Sequence, residues 1–170
     1  GFFVGSRQVQ KAYLEMAVTL ANQEELDWFI SVHFNASKEH KGRGIEAFTY
    51  QGKQHPQAVR ICEKIEKLGF KNRGVKNGSH LYTVRNTKAK AILIEVCFCD
   101  NEEDIRLYQE VGVEAIAAAI AEGLLEASES PGTVQDTKKE MPFEEFVRFV
   151  GEVALKDWKE RRIMLPSVVI

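Results

Sequence analysis

Residues 91–98 read AILIEVCF, an almost unbroken apolar run between Lys90 and the polar Asp100-Asn101. A short run with no polar alternation predicts a strand in the middle of a sheet covered on both faces. Working outward, LDWFISVHF (26–34) reads as a second buried strand and Ile45–Tyr50 as a third. Between them, residues 35–44 form a polar loop with two glycines. A helix is predicted from Pro56 to about Leu68, opened by proline and closed by Gly69. Residues 6–25 carry Val9, Ala12, Tyr13, Met16, Ala17 and Leu20 at three- and four-residue steps, another helix with Ser6 as its N-cap. Residues 70–80 (FKNRGVKNGSH) read as turns, Leu81–Val84 as a short strand, and Glu110–Ala127 as a helix. Alternating helices and strands predict an α/β fold, a three-layer sandwich with a mixed, partly parallel central sheet and flanking helices. In such sheets functional residues gather at the carboxyl ends of the strands.

After residue 127 the composition changes. Residues 128–142 contain SESPGTVQDTKKEM and read as a linker. Residues 143–170 open with an amphipathic helix, with Phe143, Phe146, Val147, Val150, Val153, Ala154 and Trp158 on one face. They read as the beginning of a second domain. The 170 residues are 44% hydrophobic and 28% charged, with a formal charge of -2 spread evenly, which argues against a partner bound by phosphate neutralisation such as nucleic acid. No apolar stretch is long enough to span a membrane. Three cysteines (Cys62, Cys97, Cys99) do not make a disulfide framework.

Two residues stand out chemically. Glu95 lies inside the apolar strand, and a lone carboxylate there must find a partner or have its pKa raised. It is either a general base or half of a buried ion pair with a cation such as Arg73 or Arg85. His33 ends the strand FISVHFNAS, where it is a metal ligand or a core histidine bonded to the backbone. Glu46 could face a cleft from a strand beside that of His33, or be solvated. Cys97 and Cys99 could bind metal but more naturally pack. His40, His55 and His80 read as structural or solvent-facing, and the basic Lys71, Arg73 and Lys76 as a solvated turn. There is no Gly-x-Ser-x-Gly elbow and no phosphate-binding loop.

FISVHFNAS (29–37), RGIEAFTY (43–50), the Arg73-Gly74 pair, LYTVRNT (81–87) and IEVCFCDN (94–101) occur in an order and spacing that resemble the type 3 zinc-dependent N-acetylmuramoyl-L-alanine amidases. The resemblance covers about residues 6–127, so residues 1–127 are expected to be the amidase catalytic domain. It implies Zn2+ as cofactor, His33 as a metal ligand and Glu95 as the catalytic carboxylate. The implied substrate is peptidoglycan, cut between N-acetylmuramic acid and L-alanine, at an extracellular or cell-wall location or in a phage lysis enzyme. The family has a further histidine and a glutamate upstream, and Glu15, Glu24 and Glu25 stand in the wrong place for the latter. The domain is therefore expected to lack its N-terminal part. MPFEEFVRFVGEVALKDWKERRIMLPSVVI (141–170) resembles the opening of an endo-β-N-acetylglucosaminidase domain. Two other readings are a zinc carboxypeptidase, disfavoured because Ala36 stands where its glutamate would follow His33, and a cell-wall binding module without catalysis.

Overall fold

The computed structural model describes residues 7–125. The linker and the second-domain helix expected after residue 127 lie outside them. The elements run α1 (Arg7–Ala21), β1 (Trp28–Asn35), β2 (Ile45–Thr49), α2 (Pro56–Glu66), β3 (Asn72–Asn77), α3 (Tyr82–Asn86), β4 (Lys90–Phe98), α4 (Glu102–Val111) and α5 (Val113–Leu125). The strands form a four-stranded mixed sheet in the order β1-β4-β2-β3 among the described residues. β1 is parallel to β4, β2 is antiparallel to β4, and β2 is parallel to β3.

The apolar run of β4 is central, as its composition requires. Ile92, Ile94 and Val96 join Ile30, Ile45 and Ala47 in a core closed by Ala58, Ile61, Cys62 and Ile65 of α2 and Ile116, Ala119 and Ile120 of α5. On the opposite face, Ala91, Leu93 and Phe29 meet Ala21 of α1 and Val84 of α3. The α/β three-layer expectation therefore holds. α1 lies down on its small residues: Ala17, Val18 and Ala21 are buried, whereas Met16 and Leu20, expected on the core face, are each 55% exposed. Asn22 fastens the end of α1, its amide donating to Asn86 O (2.9 Å) and its carbonyl oxygen accepting from Lys88 N (2.8 Å).

Three local expectations are corrected. Residues 72–77 form a strand, not a turn. Its hydropathy is silent because two of its six residues are the cations Arg73 and Lys76, whose charged ends meet Glu46 of β2. Residues 82–86 form a short helix rather than a strand, its last turn closed by Thr87 Oγ1 donating to Thr83 O (2.7 Å). A separate helix, α4, precedes the one expected from Glu110. Asn101 caps it by accepting from Glu103 N and Asp104 N (both 3.1 Å), and Gly112 at φ 82° divides it from α5.

The β1–β2 loop is pinned to the end of β4 by two aspartates. Asp104, 1% exposed, accepts from Gly44 N (2.7 Å) and Phe98 N (2.8 Å) through one oxygen. Asp100 accepts from Ser37 N and His40 Nδ1 (both 2.9 Å). Two glycines permit the close approach. A Cβ on Gly42 would lie 2.1 Å from the Phe98 ring, and Gly44, at φ +99°, would place one 2.0 Å from Lys71 O.

Three outcomes test this account. Asp104→Ala orphans two buried donors and should lower unfolding free energy by about 3 kcal/mol, while Asp104→Asn, which keeps an acceptor, should lose far less, as read by urea denaturation. Gly42→Ala should cost about 1–3 kcal/mol in the same assay, since the Phe98 ring must yield. The third outcome concerns pH. Burial works against the Glu46 carboxylate, but the hydrogen bonds and charges of Lys76 and Arg73 outweigh it and hold the group below the ordinary glutamate range. A depressed folded-state pKa contributes stability that is present above the unfolded value and lost as pH falls through the folded one. Glu46→Gln should therefore flatten the loss of thermal midpoint below pH 4.5, the ordinary value from which Glu46 is lowered. An unchanged acid limb would refute the assignment.

Candidate active site

The register of the sheet places three side chains in one row. His33 of β1 lies opposite Glu95 of β4, and Glu95 lies opposite Glu46 of β2. Period-two alternation puts all three on the face that carries Phe29 and Leu93. α1 and α3 cover that face only as far as Ala91 and Leu93. Beyond Leu93 the row is partly open, and both His33 and Glu95 are partly buried. The site thus sits at the carboxyl ends of the parallel pair β1 and β4, where sheets of this type expose chemistry. Glu46 stands beside Glu95, not beside His33, because β4 inserts between β1 and β2.

The two glutamates have opposite fates. Glu46 is 4% exposed and fully engaged: Oε1 accepts from Arg73 Nε and from Lys76 Nζ (2.5 Å), and Oε2 accepts from Asn35 Nδ2 (3.0 Å). Arg73, considered as a partner for Glu95, is therefore committed to Glu46, and of the basic cluster Arg73 and Lys76 lie on a strand and not in a solvated turn, whereas Lys71 is exposed. Glu95 Oε2 is buried with no hydrogen-bond partner among the described residues. Burial first, and the neighbouring Glu46 charge second, push the Glu95 carboxyl up to about 7. The proton affinities of two carboxylates in adjacent register are thus pushed in opposite directions, the arrangement that separates an acid–base group from a fixed charge.

His33 Nε2 lies 2.5 Å from Ser31 Oγ, and burial pulls the imidazole pKa down to about 4. The ring is neutral at ordinary pH, the form that ligates a metal. His33 fits the role of one metal ligand at this end of the sheet, as a neutral imidazole with a hydroxyl partner. Among the described residues, no group of three or more His, Cys, Asp or Glu side chains could hold a metal ion. The cysteines do not supply such a group. Burial pushes the Cys62 thiol up to about 12 and raises Cys97 and Cys99 too, away from the thiolate that binds metals.

The other histidines are structural or at the surface. His40 pairs with Asp100, His55 stands edge-on to Trp28, and His80 edge-on to Phe48. Sequence reasoning gave too little weight to Glu46, although it interrupts an apolar strand (IEAFT) just as Glu95 interrupts AILIEVCF. Arg73, Lys76 and Asn35 carried no such signal, because polar residues near strand ends are unremarkable until the register is known.

Comparison with known proteins identifies relatives of the chain and of its fold. The chain is 36% identical over 136 residues to the uncharacterized protein CPE1502 of Clostridium perfringens, covering 75% of this chain and 40% of that one. It is 34% identical over 116 residues to the endolysin of Bacillus phage SPP1, covering 62% and 42% respectively. Its fold matches the solved catalytic domain of the CD27L endolysin targeting Clostridia Difficile, with a TM-score of 0.63 at 36% identity over 74% of this chain and 67% of that one. The chain spans about two fifths of the length of these two curated relatives. Residues 4–126 match the family model described as Amidase_3, N-acetylmuramoyl-L-alanine amidase, and the chain belongs to that family.

Proposed function

We propose that this chain carries the catalytic carboxylate and one zinc ligand of a peptidoglycan amidase. The enzyme would hydrolyse the amide between the lactyl group of N-acetylmuramic acid and the L-alanine of the stem peptide. The observation that carries the reading is the row His33–Glu95, in which an unpartnered, partly buried carboxylate lies opposite a neutral imidazole. Membership of the amidase family supports it independently.

His33 would hold Zn2+, with its remaining ligands contributed from outside the described residues. When bound, zinc polarises the scissile carbonyl and lowers the pKa of water beside it. Ser31 Oγ fixes the orientation of the His33 ring through Nε2. Glu95 takes the proton of the attacking water on its orphaned Oε2 and returns it to the departing amine of L-alanine. Its raised pKa suits both halves of that transfer, because neither protonation state is strongly preferred near neutral pH. Glu46 stays ionised under Arg73 and Lys76 and does not compete for the proton.

On this reading the domain of residues 1–127 is the C-terminal part of the amidase unit. Residues 143–170 begin a glucosaminidase domain, so the parent protein would cut both glycan and peptide linkages. Its place of action is the cell wall, as an autolysin or as a phage lysis enzyme. No described helix is long and apolar enough to cross a membrane.

Purified peptidoglycan incubated with zinc and the protein supplied with its upstream segment should release new N-terminal alanine, and a chelator should stop the release. Glu95→Gln should lower the rate by about 10²–10⁴-fold with zinc binding retained. His33→Ala should instead weaken zinc binding itself, read by calorimetry. If saccharide binding persists while release never occurs, and Glu95→Gln changes nothing even with the upstream segment supplied, the chain is a wall-binding module and this reading fails.

A further inference from the structure

The row across the sheet does not stop at Glu46. It ends in two cations on β3, Arg73 and Lys76, and their number exceeds what Glu46 needs. One carboxylate faces two positive charges and also receives the Asn35 amide, so the two cations carry one positive charge more than Glu46 neutralises. Arg73 engages Glu46 only through Nε, and its guanidinium lies 5.3 Å from the centre of the Phe98 ring. Its terminal nitrogens hold no acceptor among the described residues. Lys76 spends one bond on Glu46 and has two further N–H donors. Both side chains reach solvent, at 31% and 36% exposure. A guanidinium fixed at Nε and against an aromatic face presents its remaining fork in a set geometry, which is how arginine grips a carboxylate.

We infer that Arg73 and Lys76 form a subsite for a carboxylate on the peptide arm of the substrate, on the residue that follows L-alanine. The inference rests on the amidase reading, which sets the scissile amide at Glu95. Neighbouring strands lie about 5 Å apart, so the cationic ends that reach Glu46 sit roughly one strand spacing from the Glu95 side chain. One or two extended residues span about 3–7 Å, which carries the chain from the scissile nitrogen to the next residue's carboxylate and not much further. Glu46 then has a second task as the positioning residue that holds both cations upright.

The test uses the full chain with Glu95→Gln, so that turnover does not compete with binding. Two muramoyl dipeptides are titrated by calorimetry, one with a free carboxylate on the residue after L-alanine and one with every carboxylate amidated. The free carboxylate should bind about tenfold tighter, the effect of one or two charge-assisted hydrogen bonds at a partly exposed site. Lys76→Gln should reduce that preference severalfold. It leaves Arg73 to satisfy Glu46, so folding is kept. The double variant Glu46→Gln/Arg73→Gln, which removes the buried charge with one of its partners and keeps Lys76, should also reduce the preference severalfold.

Equal binding of the two probes, no binding of either, or an undiminished preference in both variants overturns the subsite. The amidase reading is separated by zinc-dependent cleavage of the fully amidated probe by the unsubstituted protein, supplied with its upstream segment. If that probe is cut while the two bind equally, the subsite alone is wrong. If neither probe is ever cut, the amidase reading falls with it.

Discussion

Everything at this site follows from two glutamates forced into adjacent register on one face of a sheet. Glu95 sits on the central strand and Glu46 directly opposite it on the antiparallel neighbour. Two ionised carboxylates this close, with little water, repel strongly. The fold resolves the conflict by giving every cation to one of them. Arg73 and Lys76 reach Glu46 from β3, and Asn35 reaches it from β1. Glu95 is left with a buried, unpartnered oxygen and a proton affinity near neutrality. The asymmetry is a product of strand order, since β3 lies beside β2 and cannot serve β4 equally.

The same strand order decides what is rigid. The row of His33, Glu95 and Glu46 is built on strands, not on loops, so their relative positions are fixed by backbone hydrogen bonds. The loop that could disturb it, residues 36–44, is tied down by Asp100 and Asp104 just beyond the end of β4. Phe98 links that anchor to the cationic end of the row, touching Gly42 on one side and carrying Arg73 on another. Damage at Asp104 or Gly42 therefore reaches the site through Phe98, although neither residue touches Glu95 in sequence or in register.

Much of the fold was legible in the chain. β1, β2, α2 and β4 announce themselves through hydropathy, because each buries one face or two, and Pro56 and Gly69 mark the ends of the α2 region. β3 was not legible. Val75 is its one apolar side chain and packs on the core, while its two cations find a carboxylate on β2, so no hydropathy pattern marks it. α3 is too short to show a period. α4 had a readable start in Asn101 with three acids behind it, but its polar face masked the four-residue rhythm.

The candidate site divides the same way. The sequence by itself determined that Glu95 is an anomaly, since a carboxylate inside AILIEVCF is unstable under any fold that buries the run. It also placed His33 at a strand end, and it carried the motifs that mark the amidase family. Only the tertiary structure decided which carboxylate is paired. Ion pairing between strands depends on which strands are neighbours, and strand order is set by long-range packing against α2, α5, α1 and α3, not by any local pattern. The roles of Glu46, Arg73 and Lys76 are for that reason invisible in one dimension and explicit in three.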